Sequence, residues 1–142
     1  MGTIGKRLVQ ASLAIGGSVA LVMSMASTAT AATPRNGHCE VGEFCLYYGG
    51  SLGGSVSDFN GSILNYGDSQ PTCYEFIGAG TGQWQCVKNN AGSAWNRTTG
   101  HTVIVYFNSG HQGASQTFGA GQSGNLNSSL WDNNASHKFI KN

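Results

Sequence analysis

The sequence predicts an all-β sandwich assembled from one duplicated unit and tied by disulfides. Two stretches 59 residues apart repeat an aromatic, a Gly six positions on and a second aromatic five positions later, namely Tyr48, Gly54, Phe59 and Phe107, Gly113, Phe118. Each stretch is followed by an Asn/Asp-rich loop ending in Ser, Asn89–Ser93 and Asp132–Ser136. Short β-type runs recur between clusters of Gly, Asn and Ser, and beyond residue 32 no segment of helical length keeps apolar residues at 3.6 spacing. A repeat of this kind marks a supersecondary unit whose apolar face is covered by its twin.

From the N-terminus, residues 1–32 read as a secretory signal peptide rather than as part of the fold. Lys6 and Arg7 form a basic start, the stretch from Leu8 to Ala26 is apolar and small, and Ala29-Thr30-Ala31-Ala32 supplies a cleavage site. Ser12, Gly16, Gly17, Ser18 and Ser24 dilute that stretch below the ~20 mostly apolar residues of a spanning helix. No membrane association is therefore expected of the mature chain. Residues 33–142 are expected to form one secreted, monomeric domain with units at about 38–98 and 101–142.

The expected strands follow in order: 44–48, 55–59, 73–77, 83–88, 94–97, 102–107, 115–118 and 138–140. Val103–Phe107 is a continuous apolar run that suits the centre of a sheet. Short strands at regular intervals, separated by turn residues, favour a sandwich. In each unit the first aromatic and its Gly belong to a hairpin folded over the sheet. Gly54 and Gly113 are expected there at φ > 0 beneath an aromatic ring, where a Cβ has no room. The expected core is Tyr48, Phe59, Trp95, Val103, Val105, Phe107, Phe118 and Phe139. Unit one differs from unit two by an insertion of about 16 residues centred on Asp68–Gln85.

Cysteine and charge narrow the function. Cys39, Cys45, Cys73 and Cys86 are an even set behind a signal peptide, which reads as two disulfides in an oxidising compartment. Three pairings are open. The local one, Cys39–Cys45 and Cys73–Cys86, is expected because each encloses a short segment that turns back on itself; the second loop would contribute roughly 3 kcal/mol by chain entropy. No Cys-x-x-Cys occurs and the histidines are scattered, which argues against zinc. The charges of the mature chain nearly cancel without a basic patch, so nucleic acid is not an expected partner.

Catalysis finds no constellation to work with. No Gly-x-Ser-x-Gly, His-Glu-x-x-His or phosphate loop is present in the mature chain. Glu40 and Glu43 are the one carboxylate pair of glycosidase type, and within a short cysteine-flanked turn they are expected to be solvated surface charges. The chain is not expected to be an enzyme.

The aromatic-x5-Gly hairpins and the Asn/Asp loops together resemble the βγ-crystallin double Greek key. The opening Cys39-Glu-Val-Gly-Glu-Phe-Cys45-Leu-Tyr-Tyr after a signal peptide narrows the likeness to secreted actinobacterial proteins grouped as peptidase inhibitor family I36, whose founding member inhibits metalloproteinases. The resemblance spans Cys39 to Phe139. It implies a secreted peptidase inhibitor with a protease as partner, metalloproteinases favoured. The expected inhibitory loop is the disulfide-tied insertion with Tyr74, Phe76, Ile77 and Trp84, Tyr74 or a neighbour being the anchor; tethering keeps the entropy loss on docking small. In the alternative reading Phe76 and Trp84 cap the sandwich and 78–82 is a flexible tip.

The resemblance also implies calcium, with Asn89, Asn90 and Ser93 at one site and Asp132, Asn133 and Ser136 at the other, each loop sharing its site with the hairpin of the other unit. Ala94 and His137 stand where the pattern has a final Ser, and one carboxylate serves both loops, so any binding is expected at ~10⁻⁴–10⁻³ M. Asx-turns that bond neighbouring backbone are the other reading of these loops. A structural or calcium-binding extracellular module is accordingly the alternative function, and a wall- or glycan-binding toxin-like protein a third.

Overall fold

The computed structural model describes residues 31–142 together with Gly16 and Gly17. The signal peptide assigned to residues 1–32 therefore lies almost wholly outside the described residues. Seven strands follow in order: β1 Phe44–Tyr47, β2 Val56–Phe59, β3 Ser93–Asn96, β4 His101–Asn108, β5 Gln112–Phe118, β6 Ser123–Asn125 and β7 Ser136–Lys141. No helix occurs among the described residues.

The strands form two antiparallel sheets, ordered β2-β1-β3-β6 and β5-β4-β7. Each unit keeps three segments in its own sheet and sends one to the other. The second unit places β6 beside β3. The first unit reciprocates with Ile63, which bridges His137 of β7. This exchange is the double Greek key that the resemblance implies.

Between the sheets lie Phe44, Leu46, Phe59, Val103, Val105 and Phe118, with Tyr66, Phe76, Leu126 and Leu130 from the loops. Alternation accounts for the strand contributions, since successive side chains point to opposite faces. His137 is wholly buried among Phe44, Phe59 and Phe139, its ring 4.8–5.6 Å from theirs. Its Nε2–H donates to the Gly61 carbonyl at 2.8 Å and its Nδ1 accepts from the Tyr66 hydroxyl at 2.7 Å. Burial pushes the imidazole down to about 3, so it is neutral, and the same burial raises Tyr66.

Three sequence expectations are corrected. Trp95 lies on the outer face of β3, because Ala94 and Asn96 take the inward positions; the Arg97 guanidinium sits 4.5 Å above its ring. Phe107 is 42% exposed, since the register between β4 and β5 shifts at Tyr106/Asn108 and re-aims the side chain. Glu43, expected at the surface, is fully buried. In addition, Tyr48 and Phe139 only border the core. The expected strands 73–77 and 83–88 form a hairpin with one β-bridge, Glu75 to Cys86, instead of two regular strands.

Candidate functional site

The insertion is a disulfide-closed hairpin docked on the outer edge of β2. Cys73 and Cys86 pair, with Cα atoms 5.6 Å apart, as do Cys39 and Cys45 at 5.9 Å. Backbone bonds from Phe76 to Gln85 and from Trp84 to Phe76 zip the two arms at 2.9 and 2.8 Å. The Ile77 and Gly78 amides both donate to the Val56 carbonyl, and the Ser55 amide donates to Thr81. The first arm and the turn are thus fixed to the sandwich, and the second arm is held to the first.

This docking separates the four predicted loop residues. Phe76 is fully buried and meets Tyr48 edge-on at 5.6 Å. Tyr74 packs against Phe59 at 5.6 Å and lines a cavity of about 140 Å³ with Arg35 and Ser62, at the base of the hairpin. Ile77 is half-buried. Trp84 alone projects, 57% exposed, from a left-handed backbone with φ 70°. Of the four, Trp84 is the one presented to solvent, while Tyr74 and Phe76 support the loop from below.

Beneath the hairpin, residues 33–40 form a strap, of which the sequence pointed only to Cys39 and Glu40. Arg35 donates to the Ser57 hydroxyl and to the Asp58 and Glu75 carbonyls, and its guanidinium lies 4.6 Å over Phe59 and 5.2 Å over Tyr74. Burial lowers its pKa while Asp58 opposes that shift. The buried Asp58 carboxylate accepts from the Asn36 and Gly37 amides at 2.9 and 2.8 Å. Next to it, Glu43 Oε2 accepts from the Glu40 amide at 2.9 Å, and Oε1 has no partner among the described residues. Burial pushes the Glu43 carboxyl up to about 7, with Asp58 adding and the Glu40 amide opposing. A lone Arg and two carboxylates scattered over 24 positions carry no spacing signal that a sequence reading could use.

The Asn/Asp loops meet across a pseudo-twofold. The Asn89 amide donates to the Asn134 carbonyl at 2.8 Å, and the Asp132 amide donates to Ala91 at 3.1 Å. Asn89 and Asp132 share left-handed backbones, φ 61° and 55°. Ser93 Oγ donates to the Gly49 carbonyl and accepts from the Leu52 amide, while Ser136 Oγ does the same with Asn108 and His111. Each Ser therefore ties the hairpin of its own unit. Asn90 and Asn133 turn their amide groups to backbone carbonyls at Cys86 and Trp131. Among the described residues no three His, Cys, Asp or Glu side chains gather as a metal cluster. Any cation would rely on the remaining Asn, Asp and carbonyl oxygens.

With this geometry the comparisons are specific. The model of peptidase inhibitor family I36 matches residues 32–118. The chain belongs to that family. The match runs through β5, and the fold continues for two further strands. Among solved structures, a domain described under the evolution of the eye-lens βγ-crystallin fold superposes with TM-score 0.54 at 11% identity, covering 75% of this chain and 92% of its own. A βγ-crystallin domain from Flavobacterium johnsoniae gives 0.52 at 17% identity over 72% and 97%. The N-terminal domain of protein S gives 0.51 at 17% identity over 70% and 96%. These likenesses establish the βγ-crystallin-like fold of this I36 member. No curated protein matches it in sequence.

Proposed function

We propose that this I36 protein is an exported inhibitor of a metalloproteinase that docks the tip of its disulfide-closed hairpin, Ala79–Gln85, in the enzyme's cleft. Family membership supplies the peptidase, and the metalloproteinase target follows the family resemblance set out above. The observation that carries the mode of action is Trp84, exposed on a loop whose arms are fixed by the disulfide, by Val56 and by buried Phe76. A loop so held loses little conformational freedom on binding. Aromatic anchors of this kind contribute roughly 2 kcal/mol or more.

Inhibition of thermolysin and subtilisin, as metallo- and serine-peptidase probes, tests the proposal. The expected result is inhibition of thermolysin, weakened at least about 30-fold by Trp84→Ala without loss of fold. Reduction of Cys73–Cys86 should turn the loop into a cleavable substrate. Full activity of both probes at micromolar excess of inhibitor would refute it.

A second reading rests on the paired left-handed positions Asn89 and Asp132. Here calcium binds weakly through Asn89, Asn90, Asp132 and Asn133, with Ser93 and Ser136 tying each loop to the hairpin of its own unit. At ten times a millimolar Kd it would add about 1.4 kcal/mol to stability, visible as a rise in melting temperature.

A further inference from the structure

Hairpin 48–55 lies between the two most prominent exposed indoles of the fold. On one side the tip of the insertion rests on it, and a Cβ added at Gly82 would lie 2.2 Å from the Tyr48 ring. On the other side Trp131 covers Gly50, where an added Cβ would lie 2.6 Å from the indole. The Ser51 amide is held by Asn125 Oδ1 at 2.7 Å. Trp131 itself remains 39% exposed.

Two properties mark this surface, the first of them by charge and the second by which side chains its left-handed positions carry. Residues 48–55, 78–85 and 119–131, which supply it, contain no Asp, Glu, Lys, Arg or His, and the exposed Asp132 stands at its border. It also holds Ser51, Leu52 and Trp84 in left-handed backbone, at φ 53°, 58° and 70°. A left-handed conformation costs an L-residue roughly 1–2 kcal/mol, and Asn or Gly would relieve it. Holding a Leu and a Trp there keeps large apolar groups at the loop tips against that cost. Such outliers concentrate at ligand clamps.

We infer that hairpin 48–55, the tip Ala79–Gln85 and Trp131 form one continuous, charge-free docking face, taken by an uncharged apolar surface of the target peptidase bordering its cleft. This rests on the inhibitor reading and extends it from a single loop to a composite interface. Interface centres are depleted in charge and enriched in Trp and Tyr, as this face is. A charged partner surface would be buried here without an opposite charge, which is costly.

The test measures the inhibition constant of the full chain against thermolysin. Trp131→Ala is expected to weaken inhibition about tenfold. Leu52→Asn, which suits the left-handed backbone and so keeps the fold, should weaken it about fivefold with no fall in melting temperature. Ile140→Ala, an exposed apolar position on β7 of the other sheet, should change nothing. Raising NaCl from about 0.05 to 0.5 M should shift the constant less than about threefold, because no ion pair is there to screen. If Trp84→Ala weakens inhibition while Trp131→Ala and Leu52→Asn do not, the composite face is refuted and the inhibitory hairpin stands. A steep salt dependence refutes the uncharged partner surface. If the native chain inhibits neither thermolysin nor subtilisin, both readings fall together.

Discussion

The two hairpins of the repeat, 48–55 and 107–113, share a backbone and differ in what lies over it. Leu52 and His111 are both left-handed at φ 58°, Gly54 and Gly113 at φ 76° and 84°, and a Ser hydroxyl ties each loop to its own unit. Over the first hairpin the insertion adds Gly82 against the Tyr48 ring and Phe76 at its edge. Unit two has no counterpart, and Phe107, the partner of Tyr48 in the repeat, is exposed. The repeat therefore specifies backbone geometry twice, while burial of the leading aromatic depends on an element present once.

The sharpest test compares glycines. Gly82→Ala places a Cβ inside the Tyr48 ring and strains a backbone at φ 88°, and should destabilise by about 3–4 kcal/mol in urea titration. Gly113→Ala meets only the end of the exposed Asn108 side chain at 2.7 Å, and should cost about 1–2 kcal/mol. Equal losses would refute the distinction between covered and open hairpins. Replacing both Cys73 and Cys86 by Ser should lower stability by about 3 kcal/mol and increase solvent exposure of Tyr48 while leaving Phe107 unchanged, as fluorescence quenching and hydrogen exchange would report.

A pH titration sharpens the same contrast. Glu43 is raised to about 7 in the folded chain, whereas Thr102, its counterpart in the repeat, does not titrate. The folded state binds this proton more tightly than the unfolded one. Its stabilising contribution is complete below the ordinary carboxyl value near 4.5 and is lost as pH rises through about 7. Stability should fall on the order of 2–3 kcal/mol across that window from this group, and Glu43→Gln should abolish the slope. The smallest effect is expected from Phe107→Ala, within about 1 kcal/mol, because half-exposed apolar surface contributes little. A loss matching that of Tyr48→Ala would contradict the picture of an uncovered hairpin.

What the sequence made legible follows from locality. The duplication, the glycines at φ > 0, the sandwich and the disulfide pairs depend on residues near one another in the chain, or on a period. Trp95 and Phe107 were misplaced because an apolar residue in a strand does not declare its face; an inward Ala94 and a bulge decided each case. The ring of Tyr48 was expected over Gly54, and it lies over Gly82, 34 positions away, because only the tertiary docking of the insertion creates that contact. Glu43 was placed at the surface, and its neighbours Asp58 and Arg35 went unnoticed, for the same reason. The strap that gathers them has no pattern of its own. The four aromatic and aliphatic residues of the expected loop lie on one hairpin, and their division into supports and an exposed Trp84 required the fold.

The exchange of one segment between the sheets has a consequence for how the molecule comes apart. Removing residues 101–142 would strip β3 of β6, and removing residues 33–98 would deprive β7 of its bridge to Ile63. Neither half is a smaller version of the whole. The linker between them, Thr99-Gly100, is exposed, so a protease can reach it without touching either sheet. A chain cut there should remain a single particle, its fragments held by mutual insertion rather than by the peptide bond, and each fragment alone should fail to fold until the other is added.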